Sequence, residues 1–194
     1  MKLNSRRLIA LLLLVLLSVG FGFAFDAVAT AIEKHQYPMP QELAEYVSSA
    51  AEEFGLPETV LWAFVRTESR FASDLVSPDG AIGLLQLTPE TFSMICTEIL
   101  GEEEKSSELL YAPATNLHYG AALISSLYER YGVWETAYAA YFAGRETVDA
   151  WLRDPELVTP QGRLNIPDPD TAAYVEDLLR AVERYGELYF SRTP

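Results

Sequence analysis

The sequence predicts an all-α protein with at most a small β element. Three observations carry this expectation. Apolar residues recur at helical spacing from residue 41 onward. No convincing alternating strand interrupts them, apart from a short extended piece around residues 81–87. Pro and Gly fall where helices start and stop rather than where strands turn. The 194 residues are enough for one domain with a sizeable core.

The N-terminal segment, residues 1–29, stands apart. Lys2, Arg6 and Arg7 precede an uncharged apolar run over residues 8–25. A positive flank followed by an apolar run reads as a signal peptide or a signal anchor. The run is just long enough to span a bilayer, which favours the uncleaved anchor. Ala27-Val28-Ala29 nevertheless offers a small-x-small cleavage site before Thr30. Either way the basic flank stays inside. The rest of the chain is then expected in the cell envelope, membrane-anchored or periplasmic/extracellular. From about Asp26 to Pro40 the chain reads as a tether, assigned as a linker over residues 30–40 because of Pro38 and Pro40. Residues 41–190 are assigned as the folded domain.

Within that domain, Leu43, Tyr46, Val47, Ala50 and Phe54 form one stripe, stopped by Gly55. Pro57 opens the next helix. Thr88 is a natural N-cap with Pro89 at the first helical position, and that helix ends near Gly101. Glu102 to Lys105 reads as a solvated connection. Leu117, Gly120, Ala121, Ile124, Tyr128 and Tyr131 mark a longer helix ended by Gly132. Further helices run over Trp134 to Ala143 and Thr147 to Leu152. Leu157 to Pro169 reads as loop. Asp170 is read as the cap of a last helix through Tyr174, Leu178, Val182, Tyr185 and Tyr189.

The net charge of −14 argues against a nucleic-acid partner, which needs a basic face. The one cysteine, Cys96, has no partner for an intramolecular disulfide and reads as a small core hydrophobe. His35 and His118 are not spaced as metal ligands, so no metal and no cofactor are expected.

Glu68 stands out. It follows Leu61, Phe64 and Val65 as the next position on the apolar stripe of its helix. A glutamate there loses hydration of its charged form, so its pKa should rise and it could act as a general acid. On periodicity alone, a solvated Glu or one paired with Arg66 or Arg70 is the commoner explanation. The residues that follow reverse that preference.

The run from Glu68, ESRFASDLVSPDGAIGLLQLTPET, resembles the first motif block of the soluble-lytic-transglycosylase-like, goose-type-lysozyme-like family of lytic transglycosylases. The matching features are a Glu-Ser pair, a Ser-x-x-Gly-Ala loop, Gly-Leu-Leu-Gln and a Pro before a helix. Asn116 to Gly120 resembles the family's Asn-x-x-x-Gly helix. Ala139-Ala140-Tyr141-Phe142-Ala143-Gly144 resembles its Ala-Ala-Tyr-Asn-Ala-Gly. Ile166-Pro167, Thr171 and Tyr174-Val175 resemble its closing block. The resemblance spans about residues 41–189 and implies a lysozyme-like helical fold.

The resemblance also implies a chemistry. Glu68 would protonate a β-1,4 glycosidic oxygen of peptidoglycan glycan strands, between N-acetylmuramic acid and N-acetylglucosamine. It would then act as base while the muramic acid's own C6 hydroxyl attacks C1, leaving a 1,6-anhydro sugar. Ser77, Leu85, Gln86, Tyr141 and Tyr174 carry over as substrate-binding positions, with Tyr174 also approaching Glu68. Ser77 as a loop residue capping its own backbone is an equal alternative. Leu85 stands where Met is common. A hydrolytic, lysozyme-type outcome would need an added acid. Asp79 is the candidate for that role, although a turn-forming Asp explains it more simply. The chain departs from the family pattern at Phe142, in place of Asn, and at Ala172 and Ala173, where an Arg is common. Phe142 leaves open a third reading, a non-catalytic glycan-binding or envelope-scaffold module.

Overall fold

The computed structural model describes the backbone of residues 5–191 and the side chains of residues 14–191. Lys2, and the side chains of Arg6 and Arg7, lie outside that description. The chain divides into two compact units at the Pro38–Met39 boundary.

The first unit is helix α1, Ser5–Gln36. Its stretch Leu14–Gln36 is long and apolar enough to cross a membrane, by length and composition. Phe21, Phe23 and Phe25 are exposed along it. The linker expected over residues 30–40 is therefore helical as far as Gln36, and only the residues beyond it are irregular. No Pro or Gly falls between Asp26 and Gln36, and the Ala-rich sequence there favours helix. The breaking influence of Pro38 is confined to its own vicinity.

Among the described residues the second unit comprises seven α-helices, with longer loops after the second and the sixth of them. These are α2 (Gln41–Glu53), α3 (Glu58–Ser69), α4 (Pro89–Met94), α5 (Pro113–Tyr131), α6 (Trp134–Ala143), α7 (Arg145–Leu152) and α8 (Pro169–Tyr185). Thr88 caps α4 as expected, its hydroxyl accepting from the Thr91 N–H at 3.1 Å, with Pro89 behind it. A π-helical turn, Ile95–Ile99, extends α4 towards Gly101. Gly132 closes α5 in the left-handed region, φ 65°.

Several details differ from the sequence reading. Asp168, not Asp170, caps α8. Its carboxylate accepts from the Thr171 N–H at 2.8 Å and hydroxyl at 2.6 Å. Pro169 is pre-set for the first helical position, so the residue before it becomes the cap. Glu102 and Lys105 are anchored rather than merely solvated: Tyr119 donates to Glu102 at 2.7 Å, and Lys105 pairs with Glu102 at 2.8 Å and reaches the Tyr119 oxygen. A 3-10 turn at Ser107–Tyr111 follows. Among the described residues the β content is three isolated antiparallel bridges: Val76 with Ile82, Ile82 with Leu87, and Val158 with Leu164. The second lies within the extended piece expected from sequence, and the first joins that piece to Val76.

Helix α3 is the centre of the core. Val60 through Val65 are all buried, so the helix is apolar all round rather than along one stripe. It packs on α2 and α8; α5 packs on α2 and α6, and α6 on α8. Trp62 faces Tyr185 of α8, and Phe64 takes the edge of Tyr138 from α6 at 5.4 Å between centroids. Each large side chain fully buried in this way contributes about 1.5–3 kcal/mol before entropic costs. This packing fixes where the C-terminal end of α3 lies relative to α6 and α8.

Candidate active site

Glu68 sits in the last turn of α3 and is half-buried. The Tyr174 hydroxyl, from the first turns of α8, donates a hydrogen bond to its Oε1. Tyr141, near the end of α6, lies with its ring against Phe64, one turn before Glu68, at 4.7 Å and 65°. Three helices thus converge on one carboxyl. Burial pushes the Glu68 pKa up to about 7, and the Tyr174 hydrogen bond opposes the rise without cancelling it. Both phenols are held well above their ordinary range, first by burial and then by the Glu68 charge. They remain protonated donors across the working range of an enzyme. The Tyr174 bond falls on Oε1, and Oε2 takes no part in it.

The backbone around the site is strained. Arg70 (φ 49°) and Phe71 (φ 71°), directly after the helix end, are left-handed, and so is Gln86 (φ 47°). Such conformations cost about 1–3 kcal/mol each in non-glycine residues and gather at functional sites. Arg70 and Phe71 turn the chain out of α3 into the loop of residues 72–88, and Gln86 lies near the far end of that loop.

That loop is held from within and from α5. Ser77 accepts from the Ala81 N–H at 3.1 Å through its hydroxyl, the self-capping alternative. Gln86 donates from Nε2 to the Leu75 carbonyl at 3.2 Å and the Gly83 carbonyl at 2.9 Å. Leu85 is fully buried, so its side chain offers nothing to a sugar. Its backbone is what the site uses: the N–H donates to Asn116 Oδ1 at 2.8 Å, and the carbonyl accepts from Tyr141 at 2.6 Å. Asn116 also donates from Nδ2 to Ile82 and Leu110, both at 2.9 Å. Gly83 lies so close that a Cβ would stand 2.3 Å from Asn116 Nδ2 and 2.7 Å from the Leu110 carbonyl oxygen. At Gly120 a Cβ would stand 2.2 Å from Leu85 Cδ1. The Asn116-x-x-x-Gly120 spacing therefore has a structural cause. Positions i and i+4 share a face of α5, where one receives the loop's backbone and the other makes room for Leu85.

Of the six candidate positions, the structure brings Glu68, Tyr141 and Tyr174 together. Ser77 and Gln86 direct their hydrogen bonds into the loop, and Leu85 acts through packing and backbone. Asp79 is exposed in the turn closed by the Gly80 N–H on the Ser77 carbonyl, 2.9 Å. Phe142 is not a core residue. It is 49% exposed and its ring stacks on Tyr174, 4.5 Å between centroids and 28° between planes. The sequence flagged Phe142 as a departure but carried no signal of this stack. Ala172 and Ala173 lie in the first turns of α8 with little side chain to offer. Tyr141 also walls a groove of about 780 Å³ formed with α4, α5 and the start of α7. Glu68 itself does not line that groove, so Tyr141 is the link between the two.

The Transglycosylase SLT domain family matches residues 45–158, and the chain belongs to that family. The chain is 28% identical over 149 residues to the soluble lytic murein transglycosylase of Escherichia coli K12, a match covering 72% of this chain and 22% of that protein. It is 33% identical over 86 residues to the membrane-bound lytic murein transglycosylase C of Yersinia enterocolitica, covering 44% and 24%. Among solved structures it resembles an inactive mutant of the lytic transglycosylase Slt from Pseudomonas aeruginosa, in which a glutamate is replaced by glutamine. There the TM-score is 0.68 at 30% identity, over 81% of this chain and 26% of that one. The chain thus spans about a quarter of the length of these relatives.

Proposed function

We propose that this protein is a lytic transglycosylase that cleaves the β-1,4 bond between N-acetylmuramic acid and N-acetylglucosamine in peptidoglycan glycan strands. The observation that carries this reading is Glu68: half-buried, titrating near neutral pH, and held by Tyr174 on one oxygen. With a pKa of about 7 it exists substantially as the acid at neutral pH, as proton donation requires. The acid transfers its proton to the glycosidic oxygen as the C1–O bond breaks, leaving an oxocarbenium-like centre. The resulting carboxylate then takes the proton of the C6 hydroxyl while O6 bonds to C1. The product is a 1,6-anhydro sugar, no water is consumed, and Glu68 ends reprotonated.

One carboxyl can serve both steps because it gives up a proton in the first and regains one in the second. Asp74, Asp79 and Glu90 are exposed, and burial rather than a neighbouring carboxylate raises the Glu68 pKa, which supports a single acid. Tyr174 steadies the carboxylate formed midway. Tyr141 and the groove it walls would receive neighbouring sugars. The membrane-length helix and the membrane-bound relative support action at the cell envelope, with α1 as the tether.

Mass spectrometry of muropeptides released by the purified protein tests the reading. Anhydro ends are expected. Reducing ends would replace it with hydrolysis, and binding without release would replace it with a glycan-binding role.

A further inference from the structure

Phe142 presents one ring face to Tyr174 and leaves about half of its surface to solvent. An exposed phenylalanine at this place is chemically unlike the amide of the family pattern. An amide recognises by hydrogen bonds, whereas a ring face can restrain a neighbouring ring. The neighbour here is the residue whose hydroxyl reaches Glu68. Tyr141 cannot substitute for it, because its own hydroxyl is committed to the Leu85 carbonyl at 2.6 Å.

We propose that Phe142 is a positioning residue: its ring holds Tyr174 in register so that the Tyr174 hydroxyl stays on Glu68 Oε1. The idea rests on Glu68 being the proton donor. The stack is near-parallel and at close range, a geometry worth having beyond area burial alone. Without it, the Tyr174 ring loses a surface that limits its swing about the Cα–Cβ bond. Its hydroxyl sits at the far end of that lever. Around this chain of contacts the groups acting electrostatically on Tyr174 are Glu68 from α3 and Tyr138 and Tyr141 from α6; on Glu68 it is Tyr174 from α8. The phenols are neutral, so loss of the stack reaches Glu68 through a weaker Tyr174 donation and through any water admitted where the ring stood. The Tyr174 donation stabilises the carboxylate, so weakening it raises the Glu68 pKa, whereas admitted water would lower it. Only the first depends on the Tyr174 hydroxyl, so the Tyr174→Phe background separates the two.

A double-mutant cycle of Phe142→Ala and Tyr174→Phe, with kcat, KM and pH profiles on glycan strands, tests the proposal. Phe142→Ala should lower kcat about two- to tenfold with little change in KM. In the Tyr174→Phe background the same substitution should cost nothing further, since no hydroxyl remains to position. Both single variants should move the alkaline limb of the rate profile in the same direction, to higher pH. Phe142→Tyr keeps the ring and should restore the wild-type profile; Phe142→Leu keeps bulk without the ring and should not. Equal losses in both backgrounds, an effect on KM alone, or an unmoved or downward-moving limb overturn the proposal. Retained turnover in Glu68→Gln would instead overturn the reading of Glu68, whatever the cycle shows.

Discussion

Asn116 and Glu68 are both polar side chains set into the same domain, and they are treated in opposite ways. Asn116 is fully buried, with its oxygen and its amide nitrogen bonded to Leu85, Ile82 and Leu110. Nothing is left over, and Gly83 beside it admits no extra atom. Glu68 is only half-buried, is bonded by Tyr174 on one oxygen, and has its charged form disfavoured by burial. Full satisfaction yields a rigid latch, whereas incomplete satisfaction yields a group that can give up and regain a proton. The motif residues divide the same way. Leu85, Gln86, Ser77, Gly83 and Gly120 build the support, and in the proposed function Glu68, Tyr174 and Tyr141 form the reacting surface.

Substitutions should separate the two classes. The largest effect on turnover is expected from Glu68→Gln, which keeps shape and removes the proton. Cleavage of purified peptidoglycan should fall by about 10²–10⁴-fold while circular dichroism stays unchanged. The same variant should gain stability at alkaline pH. A carboxyl whose pKa is about 7 in the folded protein, against an ordinary 4.5, favours folding below the lower value, and that contribution is lost as pH rises through the higher one. Melting of the wild type should therefore drop between about pH 5 and pH 8 relative to Glu68→Gln.

Asn116→Leu should do the reverse. It strands the Leu85 N–H and the Ile82 and Leu110 carbonyls, at about 1–3 kcal/mol each, so the melting temperature should fall sharply and turnover with it. Gly83→Ala attacks the same latch through a left-handed φ of 77° and a collision with Asn116, and should also melt early. If the latch variants fold normally and merely lose activity, the division into support and reacting surface is wrong.

Tyr174→Phe should be milder. It leaves the fold intact, raises the Glu68 pKa, and moves the alkaline limb of activity upward with a severalfold loss of rate. Smallest of all is Phe142→Asn, which restores the family's residue. Loss of the stack on Tyr174 should cost about 0.5–1.5 kcal/mol, measured by urea unfolding.

The sequence shows which residues matter more clearly than what each one does. Helices are legible wherever Pro and Gly punctuate the chain, as at Pro57, Pro89 and Gly132. They are misread where a proline's influence is spread too widely, as over residues 30–36, or where Asp168 and Asp170 flank the same Pro169. The pairing of Val158 with Leu164 leaves no trace in a loop-like composition. Leu85 matches a substrate-binding position, yet it lies in the core because Gly120, 35 positions away in sequence, makes room for it. The Tyr174–Glu68 bond joins residues 106 apart, so only the resemblance, not periodicity, pointed to it. The stack of Phe142 on Tyr174 depends on the approach of α6 and α8, which no local pattern encodes.

The most direct test of this division is a titration of the Glu68 carboxyl itself by carbon-13 NMR in the folded wild-type protein. The midpoint should lie at about 7, and it should rise in Tyr174→Phe. A midpoint near the ordinary 4.5 would contradict the account, because a glutamate ionised throughout the neutral range could not be the resident proton donor.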